Sequence, residues 1–89
     1  MVTIWTTTAE KSYYELIIYF SEYWGKRQFE NFKFQTLDLI KKIEKNPARF
    51  PKYNEEVRKC VLLEKIALYY RHKEENNRIE ILLFRHNSL

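Results

Sequence analysis

The sequence holds one cysteine, one glycine and two prolines in 89 residues, and each shortage closes off a class of protein. A single thiol, Cys60, excludes an intrachain disulfide framework and favours a reducing, intracellular setting. Inside a strand-like pattern that thiol reads as a small buried hydrophobe rather than a nucleophile. With so little glycine and proline there is no linker and no glycine-rich phosphate loop. At 45% hydrophobic and 17% aromatic residues, the chain has packing material for one ordered domain spanning 1–89 and no room for a second. No apolar run approaches the ~20 residues that span a bilayer. Met1–Thr8 has neither a charged leader nor an apolar core, so the expectation is a soluble, cytoplasmic protein without a membrane partner. His72 and His86 are the only histidines, and no nucleotide loop, nucleophile elbow or spaced ligand set accompanies them. No metal and no cofactor is therefore expected.

What is present is basic charge, unevenly placed. Sixteen Lys and Arg against 12 Asp and Glu give a net charge of +4. Residues 1–46 carry seven basic and six acidic side chains, and residues 47–89 carry nine and six, so the excess lies mostly in the second half. A polyanion or an acidic protein suits such a surface.

Val2, Ile4 and Trp5 predict a short opening strand. Thr7 or Thr8 then supplies a helix N-cap, with Glu10 in the first turn, and Tyr13, Leu16, Ile17, Phe20, Tyr23 and Trp24 recur at helical spacing. Gly25 follows where a helix C-terminus favours positive φ. A second helix runs to about Lys45, with Phe29, Phe32, Thr36, Leu39, Ile40 and Ile43 on one side, and Asn46-Pro47 ends it. After a loop containing Pro51 come three strands, Val57–Leu63, Ile66–His72 and Arg78–Arg85. Glu64-Lys65 joins the first two, and Glu74–Asn77, with Asn76-Asn77 suited to positive φ, joins the last two. This order predicts a small α+β domain: strand-helix-helix-strand-strand-strand, an antiparallel sheet with a two-helix hairpin packed on one face. The last strand is apolar on both faces and belongs at a central position. Either Ile79, Ile81 and Leu83 or the alternates Leu82 and Phe84 face the helices, and periodicity leaves that open.

If one sheet face stays uncovered, Arg58, Lys59, Tyr69, Tyr70, Arg71, Arg85 and His86 supply what a nucleic-acid surface needs: cations for phosphates and aromatic faces for bases. Against this stands a plainer reading, in which Tyr69 or Tyr70 packs in the core and the basic residues guard sheet edges against aggregation. Metal-free RNA cleavage demands more, namely a base for the 2′-OH, an acid for the leaving oxygen and cations at the scissile phosphate. Arg58, Lys59 and Arg85 are competent for the charge, and His86 or Tyr70 for proton transfer.

Read in order, Ile4-Trp5, Ala9, Trp24, Phe32, Leu39, Ile43, Asn46-Pro47, Phe50-Pro51, Glu56-Val57-Arg58-Lys59, Leu68-Tyr69-Tyr70 and Ile79-Glu80-Ile81-Leu82 resemble the RelE/ParE family of bacterial type II toxins, the plasmid-stabilisation group. The resemblance spans essentially the whole chain. It implies a toxin paired with a small antitoxin in a hetero-oligomer. Growth would be inhibited by ribosome-dependent mRNA cleavage in RelE-like members or through DNA gyrase in ParE-like ones. By the same resemblance Arg58 and Lys59 match the basic part of the second strand. Two positions depart from the RelE-like pattern: Ile66 stands where an arginine opens the third strand, and the segment His86-Asn87-Ser88-Leu89 offers no terminal Tyr. The alternative from another class is a non-enzymatic or degenerate toxin-fold module that only binds an antitoxin-like partner, held between helices and sheet.

Overall fold

Thr6, rather than Thr7 or Thr8, starts the first helix. Its hydroxyl accepts the Ala9 N–H at 3.1 Å, satisfying one of the donors that a helix N-terminus leaves open. The computed structural model describes residues 1–87, so Ser88 and Leu89 of the C-terminal segment lie outside the described residues. The elements are β1 (Val2–Trp5), α1 (Thr7–Tyr23), α2 (Lys26–Lys45), β2 (Arg58–Leu62), β3 (Ile66–Lys73) and β4 (Arg78–His86), with a single 3-10 turn at Glu74–Asn76. The predicted order and α+β class are those observed.

Two turns are made differently from the sequence expectation. Gly25 is extended (φ −69°) and caps the start of α2, while Trp24, also extended, closes α1 by donating its N–H to the Phe20 carbonyl. The reversal thus needs no left-handed residue. A Cβ there would sit 3.2 Å from Gln28 Oε1, the end of an exposed, flexible side chain that can move aside, so the space does not demand glycine either. At the β2–β3 turn Leu63 and Glu64 take positive φ (53° and 66°), whereas at the β3–β4 turn Asn77 does (φ 49°), as the Asn-Asn pair predicts.

The sheet order is β1-β4-β3-β2. The last three strands are antiparallel neighbours, and β1 joins β4 in parallel, so the sheet is mixed rather than wholly antiparallel. The helix pair carries the chain from one edge of the sheet to the other, and only β4 returns beside β1. That leaves β4 central, as its apolar run predicts, although its face away from the helices carries Arg78, Glu80 and Arg85 beside Leu83. Its facing defeats simple alternation because the register shifts at Tyr69/Tyr70: Tyr70 pairs with Ile81 but Tyr69 with Leu83. Leu82 is the extra residue of a β-bulge. Ile79 and Ile81 face the helices, and after the bulge Phe84 does so in place of Leu83.

Helix α1 packs over β4 and α2 against β2. Between them and the sheet lie Phe20, Phe32, Ile43, Ile66, Leu68, Tyr70, Ile79 and Ile81. Tyr13 joins the layers, with its ring 5.2 Å from Trp5, 5.1 Å from Phe32 and 4.9 Å from Phe84. Two hydroxyls tie α1 to the bulge. Thr6 Oγ1 lies 3.1 Å from both the Ile81 and Leu82 carbonyls, and Ser12 Oγ accepts the Phe84 N–H at 3.0 Å while donating to Ala9 O. Replacing Ser12 by Ala leaves that amide without its acceptor and should cost about 1–3 kcal/mol of stability, read as a lower urea midpoint with unchanged slope.

Candidate functional site

Because paired residues share a face, the register assigns every strand side chain. Away from the helices lie Lys59 and Val61 on β2, Ala67, Tyr69, Arg71 and Lys73 on β3, Arg78, Glu80, Leu83 and Arg85 on β4, and Val2 and Ile4 on β1. Arg58, Tyr70 and His86 lie on the helix side. The five residues singled out as candidates are therefore divided by the sheet: Lys59 and Arg85 share the open face, one rung apart across β3, and the other three do not join them.

Each member of the helix-side group is engaged. Arg58 Nη1 donates to the Phe50 carbonyl at 2.7 Å. Tyr70 is fully buried, its hydroxyl donates to the Pro47 carbonyl at 2.6 Å, and burial pushes its pKa up to about 12. Cys60 is buried beside it, its thiol likewise pushed up to about 12 by burial. His86 lies half-buried with its ring 5.6 Å from that of Tyr19, and its pKa falls below the ordinary 6.5 through burial and then the Lys65 charge. It lines an apolar groove of about 370 Å³ between the helix hairpin and the sheet end, with Phe20, Trp24, Leu63, Lys65 and Ile66 among its walls. Beside this groove the outer edge of β2 has, among the described residues, no strand partner from Val61 onward.

On the open face Tyr69 is not the bare platform that its position suggests. Tyr53, from the loop before β2, stands edge-on over it at 5.0 Å, and Lys59 Nζ lies 5.8 Å from its ring centre, so Tyr69 is only 8% exposed. A second cluster occupies the far end. Glu80, although on the open face, is 6% exposed. Its Oε1 receives Arg71 Nε at 2.8 Å and Nη2 at 2.6 Å, and its Oε2 receives Arg78 Nη2 at 2.8 Å. The Arg71 hydrogen bond and the two arginine charges outweigh desolvation and hold this carboxyl below its ordinary 4.5. Sequence reasoning passed over Glu80. The signal was there in an acid between Ile79 and Ile81, an unfavourable strand residue that needs a partner on its own face. Beyond the sheet end is a polar cleft of about 340 Å³, lined by Lys52, Arg58, His72, Lys73, Glu55 and Glu74 among others. No group of three His, Cys, Asp or Glu able to hold a metal occurs among the described residues. Nor, among them, is any helix long and apolar enough to cross a membrane.

No protein-family model matches the sequence, and no curated protein matches it. The solved structures do: a chain of the chromosomal ParDE TA system from P. aeruginosa superimposes with a TM-score of 0.77, covering 97% of this chain and 95% of that one at 17% identity. The two chains share one fold, as the resemblance read from the sequence implies. At this identity the likeness carries the backbone and not the side chains, so the shared fold here presents its own divided set of candidates.

The Glu80 cluster makes the stability of this fold acid-sensitive. A carboxyl whose folded pKa is depressed contributes stability that is fully present above its unfolded value near 4.5 and is lost as pH falls through the lower folded value. Denaturation curves of the wild type should therefore lose stability progressively below pH 4.5. In Glu80→Gln this component should be missing, with stability at pH 7 lower by about 1.5–3 kcal/mol from the weakened arginine hydrogen bonds.

Proposed function

We infer that the chain is the toxin component of a type II toxin–antitoxin module. The observation that carries this reading is the superposition on the ParDE chain over almost the full length of both proteins. The natural seat for an antitoxin is the apolar groove at Trp24, Leu63 and Ile66, continued by the unpaired edge of β2: a strand added there gains main-chain hydrogen bonds, and the groove takes its apolar side chains. Lys65 on the rim offers one cation to a carboxylate of the partner.

Among the modes of action, the site geometry favours inhibition by binding, with DNA gyrase as target, over RNA cleavage. Acid–base chemistry needs a proton acceptor and donor beside the cations. Here Lys59 and Arg85 stand on one face, while Tyr70, its pKa raised and its hydroxyl engaged, and His86, in its groove, stand on the other. Ribosome-dependent cleavage is the second reading, supported by the exposed Tyr53 ring and the Lys59 ammonium, both seated on Tyr69 at the open face.

Pulse-labelling of DNA and protein synthesis within minutes of induction in bacteria tests these readings. A gyrase inhibitor depresses DNA synthesis first, and Lys59→Glu with Arg85→Glu should relieve the effect while the antitoxin complex still forms. An early fall in protein synthesis would transfer the reading to mRNA cleavage. Normal synthesis of both would overturn the toxin reading and leave a module that only binds its partner.

A further inference from the structure

We propose that Arg71, Arg78 and Lys73, set in place by Glu80, form a phosphate-binding site on the open face of the sheet, apart from the Lys59 and Arg85 positions. The inference does not depend on the toxin reading. Arg71 faces Glu80 across one rung of the β3–β4 ladder and Lys73 faces Arg78 across the rung two residues on, so the four side chains emerge together on one face. Three cations and one carboxylate leave the cluster with a net charge of +2. The carboxylate lies deepest, with its side chain 8% exposed against 31% for Arg71 and 37% for Arg78, so the cations form the outer layer.

Two arginines that close repel each other unless an anion bridges them, and Glu80 is that bridge from below. By taking Nε and Nη2 of Arg71 and Nη2 of Arg78, it fixes both guanidinium planes and leaves the remaining N–H groups for a ligand from above. The ordering entropy of two long side chains is thereby lost on folding rather than on binding. A tetrahedral phosphate, with its several acceptor oxygens, suits two guanidiniums held side by side with a lysine on the neighbouring rung better than a single planar carboxylate does. Glu74 and Glu75 follow Lys73 but are exposed on the 3-10 turn, where water and salt screen them. Strand positions, not a loop, hold the donors, which gives the site fixed geometry.

Arginine side-chain Nε–Hε resonances of the labelled protein report on the site directly. Titration with sodium phosphate at constant ionic strength should move the Arg78 and Arg71 signals saturably. Arg78→Gln or Lys73→Gln should weaken binding by about tenfold or more, as loss of a charged hydrogen bond does. Lys59→Gln or Arg85→Gln should leave phosphate binding at this cluster unchanged. Glu80→Gln gives the sharpest test: it raises the net charge of the cluster from +2 to +3, so a site built on diffuse attraction would tighten. A site that Glu80 positions weakens several-fold. Tightening in Glu80→Gln, equal shifts with chloride, or binding that survives Arg78→Gln would each overturn the proposal. A dithymidine phosphodiester distinguishes the phosphate's source. Shifts with it as with inorganic phosphate indicate a nucleic-acid backbone, and shifts with inorganic phosphate alone indicate a free or monoester phosphate.

Discussion

The bulge at Leu82 decides what each face of the sheet carries. β4 is central and contacts β1, β3 and α1, so its phase is imposed on every neighbour. Before the bulge Ile79 and Ile81 point to the helices, and after it Phe84 and His86 do, with Leu83 and Arg85 turned outward. Were Ile81 to Arg85 to alternate strictly with no bulge at Leu82, Arg85 would turn inward and the ring of Phe84 outward, a double penalty from desolvation and lost apolar burial. Backbone groups that a bulge leaves outside the ladder need partners elsewhere. Thr6 and Ser12, at the first turns of α1, provide them. The N-terminus of one helix thus sets the face on which a charge more than seventy residues later appears.

The loop between α2 and β2 shows a comparable trade between chemistry and architecture. Tyr70 reaches out of the core to the Pro47 carbonyl, Arg58 holds the Phe50 carbonyl, the Lys59 amide donates to the Pro51 carbonyl, and Tyr53 lies against Tyr69. Four contacts from two strands pin a segment with no regular structure of its own. Side chains that by type alone suit proton transfer or phosphate charge are here occupied in closing the fold, and what remains outward is cationic.

Much of this was legible in the sequence where periodicity and stop signals act locally. The apolar stripes of α1 and α2, the Asn46-Pro47 stop, the left-handed Asn77 and the central place of β4 all follow from side-chain type and spacing. Four features were not. The parallel pairing of β1 with β4 depends on where the helix pair delivers the chain, which no local pattern encodes. The bulge is a single added residue in Ile81-Leu82-Leu83-Phe84, a run in which all four residues are apolar and none marks the shift. The Leu63-Glu64 turn uses residues that disfavour positive φ, so propensity points away from it. The division of the candidate residues between two faces follows from the bulge and the register together, so it became visible only once both were fixed.

The two cationic groups on the open face differ in how they are held, and that difference bears on what each can do. Lys59 is a flexible ammonium over an aromatic ring and Arg85 is exposed, so both can adapt to a protein surface or be steered to one by charge. Arg71 and Arg78 are fixed from beneath by a carboxylate whose proton is held off by their own charges. A fixed pair discriminates by geometry, whereas a mobile one contributes mainly to the rate of encounter. Were the open face only a solubilising surface, a buried carboxylate would be a poor choice there, since it reduces the net charge and carries a desolvation cost. Its presence makes sense where two arginines must stand side by side in one orientation, and on the two proposals made above the sheet divides its labour: one cationic group attracts and the other selects.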